Sequence, residues 1–102
     1  MELIEAMAHE TTEMVTLSVD SFVKRDIKLA EQIISRDDIV DDYFSQIKNH
    51  IIHMIAKTHD DADLALDLLM IAKYFERIGD HATNIAEWVI YSVTGTHKTI
   101  ST

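Results

Sequence analysis

The run LALDLLMIAKYFERIGDHATNIAEWV, residues 64–89, carries an apolar residue at every fourth or third position: Leu64, Leu68, Ile71, Phe75, Ile78, Ala82, Ile85 and Val89. That alternation is the period of one helix face, and it holds for more than three heptads. It predicts a long helix with a bundle-type seam, closed by Thr94-Gly95. Upstream, Ile4, Ala8, Thr11, Val15, Ser18 and Phe22 repeat the same spacing, with Met7 and Met14 widening the stripe. A first helix from the start to about Phe22 follows, ending in the basic Lys24-Arg25, with Asp26 as a candidate N-cap for the next element. That second region is read from Ile27, Ala30 and Ile34, and again from Val40, Phe44, Ile47, Ile51 and Met54. The break between the two runs, at Ser35-Arg36-Asp37-Asp38, fits a kink or a short loop capped by Ser35 or Asp37. Thr58-His59-Asp60-Asp61 has the polar chemistry of a turn.

The chain of 102 residues contains no proline and two glycines, Gly79 and Gly95. An all-β domain needs turn residues every 8–12 positions, so the composition excludes one. Three amphipathic helices with short connections predict an all-α, antiparallel three-helix bundle over residues 1–94, followed by a polar tail at 95–102. Leu66, Leu69 and Met70 lie off the seam, and a second apolar surface or a wide core stripe both account for them.

With 18 acidic and 9 basic residues the net charge is −9. Nucleic-acid binders show the opposite balance, and an anionic membrane would repel such a chain. Cationic ligands or a basic partner surface suit it better. There is no cysteine, which excludes disulfides and thiolate metal sites. No run reaches the length of a membrane span, and the start Met1-Glu2-Leu3-Ile4-Glu5 lacks signal-peptide character, so the reading is cytoplasmic, with no membrane insertion.

If the seam is the core, Glu76, Asp80, Thr83 and Glu87 line the opposite face of the third helix, flanked by Asn84. Carboxylates four residues apart on a helix are close enough to share one cation. Asp37 with Asp41, and Asp38 with Asp42, offer matching pairs on the second helical region. Oxygen ligands of this kind suit magnesium, manganese or iron. Ordinary solvated surface carboxylates are the alternative, and Asp63 with Asp67 show that such spacings arise readily in an acidic chain. Gly79, at a cost of about 1 kcal/mol inside a helix, is explained by close helix packing or by room for an ion beside Asp80. His9-Glu10-Thr11-Thr12-Glu13 begins like a metalloprotease helix but has Glu13 where the second histidine belongs. His50 and His53 are three apart. No phosphate loop, nucleophile elbow or di-iron helix pair is present, so no catalytic residues are assigned and an enzyme is not expected.

The segment Glu76-Arg77-Ile78-Gly79-Asp80, continued by Asn84-Ile85-Ala86-Glu87, resembles the signature helix of the PhoU family of phosphate-uptake regulators. Asp26-x-x-Leu29-Ala30 followed by Asp37-x-x-Val40-Asp41 is similar to that family's second helix. The likeness covers nearly the whole chain except the tail. Full-length members consist of two tandem three-helix repeats, and this chain resembles one, most like the C-terminal repeat. The resemblance implies metal sites, divalent or multinuclear (iron, zinc, manganese or magnesium), at Asp37 with Asp41 and Glu76 with Asp80; the acidic face of the third helix adds Asn84 and Glu87 as neighbouring oxygen donors. It implies damping of the phosphate-starvation response through contacts with a phosphate transporter ATPase and a membrane sensor kinase. It also implies that Leu66, Leu69 and Met70 face a missing second repeat or a homo-oligomer partner.

Overall fold

A computed structural model describes residues 2–95, so the tail expected at 95–102 lies, from Thr96 on, outside the described residues. Helix α1 (Glu2–Lys24) is followed by α2 (Ile27–Ser35), α3 (Asp37–Lys57), a 3-10 turn (His59–Asp61) and α4 (Ala62–Thr94). No strand occurs among the described residues, and none of the helices is long and apolar enough to cross a membrane. The helices stack as three columns, because α2 and α3 together form the middle one.

Contacts between the columns fix their directions. Thr11 packs near Gly79, and Arg25 donates to the Ser92 carbonyl at 3.4 Å. Positions 11 and 25 of α1 thus run alongside 79 and 92 of α4, so these two helices are parallel. Val40 also packs against Gly79, whereas Phe44 lies under the Lys73 ammonium. The middle column therefore runs antiparallel to α4, which is the expected up-down-up arrangement.

The helix ends show why the chain turns where it does. α1 closes in a Schellman arrangement: Asp26 N–H bonds to the Ser21 carbonyl at 2.9 Å and Arg25 N–H to that of Phe22 at 3.3 Å, with Arg25 in the left-handed region at φ 54°. Asp26 then caps α2, its carboxylate accepting from Leu29 N–H at 3.0 Å. Gly95 closes α4 at φ 73°, as the sequence predicts.

The break between α2 and α3 is a one-residue kink at Arg36. Neither Ser35 nor Asp37 caps it. The Ser35 hydroxyl turns back to the Gln32 carbonyl, and α3 begins with no side-chain cap. Arg36 itself holds the joint. Its guanidinium forms a fork on Glu10, at 2.7 and 3.0 Å, and a further bond to Glu13.

The buried faces differ from the seam read in the sequence. On α4 the core row is Ala65, Ala72, Gly79, Ala82, Ala86 and Val89. Leu64, Ile71, Ile78 and Ile85, placed in the core by their hydropathy, are exposed, and Leu68 and Phe75 are half-buried beside the core. On α1 the centre is Met7, Thr11, Met14, Ser18 and Ser21, while Phe22 is exposed. The reason is closeness. Small residues on α4 let Met7, Met14, Ile33, Val40 and Ile47 fill the space between columns. The buried hydroxyls of α1 are satisfied locally: Thr11 donates to the Met7 carbonyl, Ser18 to Val15 and Ser21 to Ser18.

A candidate carboxylate site between two helices

Two short motifs meet where the middle column crosses α4. Asp37-Asp38-Ile39-Val40-Asp41 opens α3, and Glu76-Arg77-Ile78-Gly79-Asp80 lies in the middle of α4. Each has carboxylates at its first and fifth positions and a buried small or β-branched residue at its fourth. Those fourth residues touch: a Cβ built on Gly79 would stand 3.5 Å from a Val40 methyl and 3.6 Å from that of Thr11. Asp37 and Asp41 of α3 and Glu76 and Asp80 of α4 flank that contact, near enough for the charges of Asp41, Asp80 and Glu76 to act on Asp37.

Gly79 therefore serves close packing. Its bare face looks at Val40 and Thr11 in the core, and the reading that it leaves room for an ion beside Asp80 is not what the geometry gives. The acidic row of α4 also sits differently from the sequence expectation. Glu76, Thr83 and Glu87 are half-buried on the flank beside the middle column, not on the face opposite the core, while Asp80 and Asn84 are exposed. The Thr83 hydroxyl is engaged with the Gly79 carbonyl at 3.1 Å, and Glu76 pairs with Lys73 at 3.3 Å.

Asp37 carries the electrostatic signature of the site. Its Oδ1 is buried and has no hydrogen-bond partner. Burial pushes its carboxyl above the ordinary range, and the charges of Asp41, Asp80, Asp38 and Glu76 push it further the same way. A carboxylate that is short of hydrogen bonds and surrounded by four others is the chemistry a cation relieves. Among the described residues no three His, Cys, Asp or Glu side chains converge as a ready-made ligand set, so a cation would draw Asp37, Asp41, Glu76 and Asp80 together by rotamer changes.

The remaining candidates separate from this site. Leu66 and Met70 are exposed on α4, whereas Leu69 is half-buried and packs against the core. Glu10 and Glu13 are engaged by Arg36, which accounts for the His9–Glu13 motif without a metal. His50 and His53 line an open cleft with Met54 and Lys57 far along α3, and His53 Nδ1 lies 2.8 Å from the Asn49 carbonyl. The sequence reading missed Arg36 altogether. Its position beside the break was the one available signal, since its partners are on a different helix.

Comparison with known proteins gives a consistent picture. The family description "PhoU domain" matches residues 4–89. A phosphate-specific transport system accessory protein PhoU homolog of Clostridium acetobutylicum is 33% identical over 89 residues, covering 87% of this chain and 41% of that protein. PhoU homolog 1 of Thermotoga maritima is 35% identical over 92 residues, 90% of this chain and 40% of the relative. The homolog of Deinococcus radiodurans is 33% identical over 95 residues, 93% and 45% respectively. The chain thus spans less than half the length of these relatives.

Proposed function

The chain belongs to the PhoU domain family, and on that premise we propose that it is a regulatory adaptor of phosphate uptake and phosphate-starvation signalling that binds metal at the facing carboxylates of α3 and α4. The relatives are named as accessory proteins of a phosphate-specific transport system, which supports a regulatory role over a catalytic one. Family resemblance supports, as its partners, a phosphate transporter ATPase and a membrane sensor kinase, in a cytoplasmic setting. Leu66 and Met70, exposed on α4, offer an apolar contact for such a partner.

One observation carries the metal reading: the buried, unpartnered Oδ1 of Asp37 within reach of the charges of Asp41, Asp80 and Glu76. These residues would hold the ion through carboxylate oxygens, with Asn84 and Glu87 at the edge of the same helix. A divalent or multinuclear oxygen-ligated centre supplies charge neutralisation between two helices, drawing α3 and α4 together. Iron, manganese, zinc or magnesium are the ions to test.

The test is the metal content of the untagged protein purified without chelator, compared with a variant carrying Asp37→Asn, Asp41→Asn, Glu76→Gln and Asp80→Asn. Stoichiometric metal in the first and loss in the second is expected. A wild-type protein that stays metal-free after incubation with each ion would remove the metal from the proposal. The second reading, a metal-independent bundle docking a basic partner surface, draws on the absence of a preformed ligand set among the described residues. It predicts partner binding that weakens with salt and ignores chelator.

A further inference from the structure

The carboxylates occupy the start of α3, and the end of the same helix carries a different chemistry. His50, His53, Met54 and Lys57 line one open cleft there. Spacings of three and four put all four on one helix face. From Tyr43 to His59 the chain has no Asp or Glu, although 18 of its 102 residues are acidic. The side chains of the cleft therefore offer two imidazoles, a thioether and an ammonium, and no carboxylate.

His53 is held in one tautomer. Its Nδ1 lies 2.8 Å from the Asn49 carbonyl. A carbonyl oxygen only accepts, so Nδ1 carries the proton and the neutral ring keeps its lone pair on Nε2. Metal-ligating histidines are arranged in this way, with one ring nitrogen fixed on a backbone carbonyl and the other left to bind. An anion would instead need an N–H at that second nitrogen, and hence a doubly protonated ring. Met54 is half-buried against the core, which restricts the positions its thioether can take.

The donor set narrows the ion. Magnesium and manganese take carboxylate, carbonyl and water oxygens, which these four side chains lack. A thioether selects copper(I), and imidazole suits copper as well. Lys57 favours the same choice, because its ammonium repels a doubly charged ion about twice as strongly as a singly charged one. We propose that His50, His53 and Met54 form a copper(I) site near the end of α3, with His53 Nε2 as its pre-oriented ligand. His50 supplies the second imidazole and Met54 Sδ the third donor. These donors are neutral, and the field of a chain of net charge −9 supplies the attraction for the ion. From Asp41 to His50 the helix rises roughly 13 Å, so this site shares no ligand with the carboxylates.

The test is titration of the whole 102-residue chain with copper(I), under ascorbate and without oxygen, against a colorimetric copper(I) chelator. One ion per chain is expected. His53→Ala and Met54→Leu should each weaken binding about tenfold or more. Met54→Leu conserves apolar volume, and circular dichroism should show unchanged helix content in both variants. The variant with Asp37→Asn, Asp41→Asn, Glu76→Gln and Asp80→Asn should keep its copper, so this site and the carboxylate site stand or fall separately. His9→Ala and His81→Ala should bind as the wild type does. X-ray absorption at the copper edge should show sulfur beside nitrogen, with the sulfur lost in Met54→Leu. Failure to take copper(I) from the chelator overturns the proposal. So does binding that survives either His53→Ala or Met54→Leu, or displacement of the copper by zinc.

Discussion

Asp37 is the least comfortable residue of the bundle, with a buried oxygen that nothing donates to and four carboxylates nearby. Because its folded-state pKa is raised, the folded protein binds more protons than the unfolded chain between the ordinary carboxylate value and the raised one. Stability of the metal-free protein should therefore increase as pH falls through Asp37's folded-state pKa, opposite to the trend of a paired acid. Asp37→Asn should stabilise the metal-free protein at neutral pH by on the order of 0.5–1 kcal/mol, through relief of like-charge pairs. The gain should shrink toward mildly acidic pH, where the wild-type carboxyl protonates. Urea titrations across that range check both signs, and added divalent metal should reverse the ranking. Spacing alone suggested this residue, with Asp41, Glu76 and Asp80. Its orphaned oxygen was not legible, since that depends on which groups from α4 arrive beside it.

At the scale of the helix, α4 shows what periodicity can and cannot decide. Its length, its closing Gly95 and its amphipathic character were all readable. The choice of buried row was not. Two apolar rows lie one residue apart, Leu64-Ile71-Ile78-Ile85 and Ala65-Ala72-Gly79-Ala86, and hydropathy favours the bulkier. Packing favours the smaller, since only small side chains let α1 and α3 approach closely. The same limit applies to α1, which ends in a Schellman turn with Arg25 where glycine is usual. A residue that pays in backbone strain leaves no signal in composition. Gly79 tests the packing account directly. A methyl there would make ordinary contacts at 3.5–3.6 Å with Val40 and Thr11. Gly79→Ala should thus raise stability by up to about 1 kcal/mol through helix propensity, and leave metal content unchanged. Thermal unfolding with metal analysis measures both. A loss of several degrees in Tm would mean the helices are closer than a methyl permits.

For the whole molecule, one polar joint ties α1 to the middle column. Arg36 sits where the middle column bends, 23% exposed, and its main partner Glu10 is 12% exposed, so water screens this pair less than a surface ion pair. Removing the guanidinium leaves Glu10 without its partner in a half-buried setting. Arg36→Ala should cost about 2 kcal/mol in urea unfolding. Arg36→Lys should recover only part, because an ammonium cannot reproduce the two-pronged contact. The bond and charge of Arg36 also hold the Glu13 carboxyl below its usual range. Its share of stability is present above the unfolded carboxylate value and lost as pH falls through the folded one. The bundle and its column order were legible from three amphipathic runs, but this joint was not, because its partners lie 26 and 23 residues away in the chain.

The parallel course of α1 and α4 has a mechanical consequence. In a body 53 Å long, the start of α1 and the end of α4 lie toward opposite ends. Tension applied between them runs along the helix axes, so the outer columns must slide past one another as whole rods. Rods loaded in shear give way at many contacts at once, where two strands of a hairpin pulled from one end would peel apart contact by contact. Rupture under load then follows the unfolding rate of the entire bundle, not that of its weakest turn.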